Sequence, residues 1–94
     1  MEQKLHDLLI KIGLMDDDIE FLRTLCPCID YVSYERASAN LALVINAGYP
    51  RVDIDTLIAV NPNFLLNDLE VTRQRLANLG DKVEELLKDN PELI

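Results

Sequence analysis

Apolar residues fall at helical spacing almost from the start of the chain. Leu5, Leu8, Leu9 and Ile12 stand at i, i+3, i+4 and i+7, the stripe of a helix with one buried face. Gly13 follows where a left-handed C-cap costs least. Asp16, Asp17 and Asp18 then open a second helix, which carries Ile19, Leu22 and Leu25 and stops at Pro27. Three carboxylates in a first turn complement the positive end of the helix, which accounts for them without metal or catalysis. Ser33 reads as the N-cap of a third helix, Tyr34 to Ala47, with Ala37, Leu41, Val44, Ile45 and Ala47 as its apolar face and Gly48 as its end.

The second half repeats the grammar. Tyr49-Pro50-Arg51 make a connection, and a short helix begins at Val52 or Asp53 and carries Ile54, Leu57 and Ile58. Asn61-Pro62 stop it, because the residue before a proline resists helical geometry. Asn67 to Glu70 reads as a capping box in which Asn67 takes an early N–H and Glu70 reaches back. The fifth helix buries Leu69, Thr72, Leu76 and Leu79 and ends at Gly80. Asp81 starts the sixth, with Val83, Leu86 and Leu87 inward and Asn90-Pro91 as its stop. No stretch alternates with the period of a half-buried strand. The pattern predicts an all-α chain of about six helices, taken as three pairs.

The punctuation itself recurs. Glycine stands at 13, 48 and 80 and proline at 27, 62 and 91, so both advance by 35 positions from the first copy to the second. The third copy is shorter, as if it lacked the equivalents of Tyr49-Pro50-Arg51. Apolar residues hold five equivalent places in each copy: Leu9, Val44 and Leu76 before the glycines, for example, and Ile19, Ile54 and Val83 before the prolines. This predicts one domain of three stacked helix-turn-helix units, about 2–32, 33–66 and 67–94. Units of this length bury their faces on one another in an α-solenoid or a bundle derived from one.

Residues 76–94, LANLGDKVEELLKDNPELI, run as a leucine-rich helix, Leu-Gly, a short helix with Leu-Leu, proline and two apolar residues. Residues 44–66 follow the same order, and residues 9–29 follow it more loosely. This resembles the repeats of the mitochondrial transcription termination factor (mTERF) family. The resemblance implies a curved array of helix–helix–3₁₀ units whose concave side holds a nucleic acid, with Arg36, Arg51, Arg73 and Arg75 to grip phosphates. Members of that family carry many more repeats, a basic groove and usually an organelle-targeting peptide, none of which this chain shows.

Charge decides between the readings. The chain has 9 basic and 17 acidic residues, for a net charge of −8, and no third of it is net positive. Nucleic-acid affinity comes largely from neutralising phosphates, so this balance disfavours nucleic acid as the partner. Cys26 and Cys28 flank a single proline, too close for an unstrained disulfide, and no second pair completes a zinc site. His6 is the only histidine and no orienting partner is legible for it. No nucleophile elbow, P-loop or dinucleotide fingerprint occurs. No catalytic, cofactor or metal residues are expected, and the first ~20 residues match neither a signal nor a transit peptide. The expectation is a cytoplasmic, non-enzymatic module outside the membrane.

Its partner is expected to be a protein, met through Tyr34, Tyr49, Pro50 and Arg51, since tyrosine gives contact area at low entropic cost and loop insertions in repeat arrays tend to fall on the binding face. A second copy is one candidate, because the apolar Leu93-Ile94 reads as an uncapped edge and predicts a homodimer. A third reading takes the acidic surface, Asp16 to Asp18 above all, as a mimic of nucleic acid that inhibits a basic protein.

Overall fold

A computed structural model describes all residues, 1–94, and the chain is all-α. Six helices follow in order: α1 (Gln3–Ile12), α2 (Asp16–Leu25), α3 (Tyr34–Asn46), α4 (Ile54–Val60), α5 (Leu69–Leu79) and α6 (Val83–Asp89). Each even-numbered helix runs into a 3₁₀ turn that begins at a proline: Pro27–Asp30, Pro62–Leu66 and Pro91–Leu93. A further 3₁₀ turn, Arg51–Asp53, leads into α4.

The prolines act through the residues in front of them. Cys26, Asn61 and Asn90 leave helical geometry with φ/ψ of −135°/77°, −145°/71° and −141°/91°. Each still donates its N–H to the carbonyl four residues back, on Leu22, Leu57 and Leu86, at 2.7, 2.9 and 2.8 Å. The helix therefore keeps its last hydrogen bond while the proline ring turns the chain aside.

Glycine ends the odd-numbered helices in two different ways. Gly13 and Gly48 have φ of 125° and 122°, where a side chain would be strained. Behind them Leu14 and Tyr49 donate to Leu9 and Val44 at 3.0 and 3.2 Å, the six-to-one bond of a Schellman ending, and both side chains are buried. The third copy has no such residue: Gly80 sits at φ 65°, Asp81 is exposed, and α6 starts at Val83. Asp81, the expected start of that helix, belongs to the turn.

α3 packs between α1 and α5, and it also lies against the Pro62–Leu66 turn. The radius of gyration is 12.3 Å, against about 12 Å expected of a compact domain this long, so the six helices form one globule. Leu5, Leu9, Leu22, Ile29, Val44, Ile54, Leu57 and Phe64 are among its almost fully buried side chains. No helix is long and apolar enough to cross a membrane.

Several sequence expectations shift locally. Leu25 and Ala47 face solvent. In the third copy Leu93 is 38% exposed, and Ile94, one residue later, enters the core. Ile94 is therefore not part of an open edge. Asp68, not Asn67, caps α5, taking the Glu70 N–H at 2.9 Å. Asn67 instead donates from Nδ2 to the Ile94 carbonyl at 2.9 Å.

Side-chain amides join segments distant in sequence. Asn40 is fully buried in α3, and its Nδ2 donates to the carbonyls of Leu65 and Asn67 at 3.1 and 2.8 Å. Its Oδ1 accepts from Thr72 Oγ1 in α5 at 2.5 Å. Asn61 Nδ2 reaches the Pro91 carbonyl at 2.8 Å. Ion pairs add surface ties: Arg23 Nε meets Asp30 at 2.9 Å, and Lys88 bridges Asp53 and Glu84 at 2.8 and 2.9 Å. The Arg23 guanidinium, and then the Met1 amino group at 3.1 Å, hold the Asp30 carboxyl below its usual range.

Three outcomes follow from these contacts. Asn40→Ala, which strands a buried carbonyl, a half-buried one and a buried hydroxyl, lowers unfolding stability by about 2–4 kcal/mol in urea titration. Thr72→Val costs about 1–2 kcal/mol, and an Asn40→Ala change as mild as a surface substitution contradicts the account. Asp30 binds its proton more readily unfolded than folded, so its contribution is present above about pH 4 and fades as pH falls through its depressed folded pKa. Asp30→Asn therefore flattens the acid limb of a stability–pH profile followed by circular dichroism and leaves the neutral limb's slope unchanged.

Candidate functional site

The first two odd-numbered helices run side by side in the same direction. Tyr34, at the start of α3, donates its N–H to Glu2 Oε2 beside the start of α1 at 2.7 Å. Further along, Leu41 and Ile45 of α3 share a recess with Leu8 and Ile12 of α1. A recess of about 330 Å³ at the Tyr34 end adjoins one of about 390 Å³ at the Arg51 end, the two sharing Leu8 and Lys11, and together they make a groove along α1 and α3. Its floor is two pairs at i, i+4 spacing, Leu8 with Ile12 and Leu41 with Ile45, of which Leu41 is buried and the other three are half-buried.

Its rim is basic. Lys4 and Lys11 stand two turns apart on α1, and Arg51 closes the far end beside Val52, which is 86% exposed. One carboxylate, Asp7, lies between the lysines, where i+3 and i−4 spacing would let it pair with either. It is taken instead by Gln3 Nε2 at 2.8 Å and stands 3.8 Å from His6 Nδ1.

The other basic groups are differently placed. Arg23 and Lys88 are held by acids as described, Arg73 pairs with Glu70 at 3.4 Å, and Arg75 donates to the Ile94 carbonyl at 2.6 Å. Lys4, Lys11, Arg36, Arg51 and Lys82 make no ion pair and no side-chain hydrogen bond within the chain. Three of these five line the one groove. In a chain of net charge −8 that concentration needs a reason.

The four arginines considered as phosphate grips do not assemble. Arg51 is in the groove, and Arg36 lines a separate recess with Cys28 and Tyr31. Arg73 and Arg75 are two residues apart on α5 and so leave the helix in different directions, each with its own partner. The carboxylates considered as a mimic are also partly engaged: Asp16 meets His6 Nε2 at 3.2 Å, and Asp18 accepts the Met15 N–H at 2.9 Å.

Of the four partner-contact residues expected from sequence, Tyr34 and Arg51 come to opposite ends of the groove. Pro50 is half-buried in the connection. Tyr49 is only 3% exposed, and burial pushes its phenol pKa up; the ring belongs to the core because the Schellman ending turns it inward. It borders a recess between α4 and α6 whose one cation, Lys88, is already neutralised. The two cysteines have separate surroundings. Cys26 is buried, which raises its thiol pKa, with Sγ 3.1 Å from Asn63 Oδ1, while Cys28 is exposed.

Sequence reasoning missed Lys4 and Lys11. Their signal was present, since seven-residue spacing puts both on one face of α1 beside Leu8. No family model, curated protein or solved structure matches the chain.

Proposed function

We propose that this chain is a non-enzymatic protein-binding module and that its docking surface is the α1–α3 groove. One observation carries the reading: an apolar floor is edged by Lys4, Lys11 and Arg51, and none of the three has an acid of its own. An exposed cation in water is already well solvated, so leaving it unpaired costs the fold nothing. Placed around a patch that excludes water once covered, the same cation strengthens and orients the contact. The partner is a segment that is apolar on one face and carries carboxylates beside it.

The apolar floor favours a protein over a nucleic acid. A phosphate backbone is charged along its whole length and would cover Leu8, Ile12, Leu41 and Ile45 with nothing apolar. The excess of carboxylates over the rest of the surface would also repel it.

A labelled synthetic amphipathic helix with leucines at i and i+4 and flanking glutamates serves as probe in fluorescence anisotropy. It binds, and binding weakens as salt rises. Lys11→Glu lowers its affinity by about tenfold or more, whereas Lys82→Glu, the same charge change at an unpaired lysine away from the groove, alters it by less than about twofold. Equal losses in the two variants, or tighter binding of a DNA or RNA oligonucleotide than of the peptide, would overturn the reading.

A further inference from the structure

We propose that the groove takes helix α2 of a second copy of this chain. The inference rests on reading the α1–α3 groove as a docking surface and adds the identity of what fills it.

α2 turns Ile19 and Leu22 into its own core but leaves Phe21 61% and Leu25 55% exposed. These two are four residues apart and so adjacent on one outer stripe. Two large apolar side chains side by side in water form a patch of the kind that contacts use. Asp17 stands four residues before Phe21 on the same stripe. Its neighbours are engaged, Asp16 by His6, Asp18 by the Met15 N–H and Glu20 by Arg23. Asp17 alone of the four has no hydrogen bond or ion pair through its side chain. α2 therefore displays an apolar pair headed by a free carboxylate.

The groove displays the complement. Its floor offers one helical turn on each wall, Leu8 to Ile12 and Leu41 to Ile45, and Phe21 to Leu25 is also one turn, about 6 Å of rise. From Asp17 to Leu25 is about 12 Å along α2, and from Lys4 to Lys11 is about 10.5 Å along α1, so carboxylate and cations fall within the same span. Each surface lacks, within its own copy, the charge and the apolar cover that the other supplies. A pair that uses both contacts at once closes as a two-fold dimer, whereas a head-to-tail arrangement leaves one of each open and continues.

Sedimentation equilibrium on the full chain, from low micromolar to near-millimolar concentration, tests this. The wild type shows a mass that rises with concentration. Phe21→Asp combined with Leu25→Asp, and separately Lys11→Glu combined with Arg51→Glu, each weaken association by about tenfold or more. All four side chains are outside the core, and circular dichroism checks that the helices persist. Mixing the two double variants gives a one-to-one complex that keeps one of the two contacts, so the mixture associates more tightly than either variant alone and less tightly than the wild type. Asp17→Lys, a single exposed change, weakens association by about threefold or more and keeps the test open if a double variant unfolds. A wild type that stays monomeric but binds the acidic peptide probe overturns self-docking and leaves the groove reading standing. A monomer that binds no probe overturns both, and double variants that associate no more tightly mixed than alone overturn self-docking.

Discussion

The arrangement of this small domain depends on one buried amide. Asn40 sits at the middle of α3 with no exposure, and every polar atom of its side chain is used. It fastens α3 to the Pro62–Leu66 turn and to the start of α5, on the side of the helix away from α1. An amide in an apolar interior is tolerated only when satisfied, and satisfied it admits one register. The aliphatic contacts around it are strong but non-directional. The amide makes the position of α3 specific, and the position of α3 sets the shape of the groove it forms with α1.

Charge is sorted just as strictly. Acids outnumber bases 17 to 9, yet only some of the basic residues pair with one. Arg23 and Lys88 tie turns to helices, and Arg73 and Arg75 are used within α5 and the last turn. Around the groove Asp7 accepts from Gln3 and Glu2 accepts from the Tyr34 N–H, and neither forms an ion pair with Lys4, Lys11 or Arg51. The outcome is a basic rim on an acidic molecule, set around aliphatic side chains that the core does not fully cover. Pairing that rim internally would add little stability, since exposed pairs contribute about 0–1 kcal/mol. Its electrostatic value is larger at an interface, where a covered patch excludes water.

Much of the architecture was legible because it is written in local rules. Proline stops, glycine ends and apolar spacing placed all six helices along the chain. What was misplaced depended on contacts distant in sequence. Tyr49 looked like a loop tyrosine until the six-to-one bond behind Gly48 turned it inward. Asn67 looked like a cap, but the Ile94 carbonyl, 27 positions away, claimed its side chain. Leu25 was read with the inward stripe of α2, whereas the burial ends at Leu22 and resumes at Cys26. The groove was half legible: Tyr34 and Arg51 were singled out, but Lys4 and Lys11 looked like any solvated lysines. Only the absence of partners in three dimensions separates them from Arg23 or Lys88.

The most direct test is to see where an occupant sits. Isoleucine methyl NMR suits the chain, because Ile12 and Ile45 line the groove while Ile29 and Ile58 are buried and outside its lining. On addition of an acidic amphipathic helix, the methyl signals of Ile12 and Ile45 shift, and those of Ile29 and Ile58 stay in place. Shifts centred on Ile29 or Ile58, or an unchanged spectrum at saturating peptide, would contradict the account.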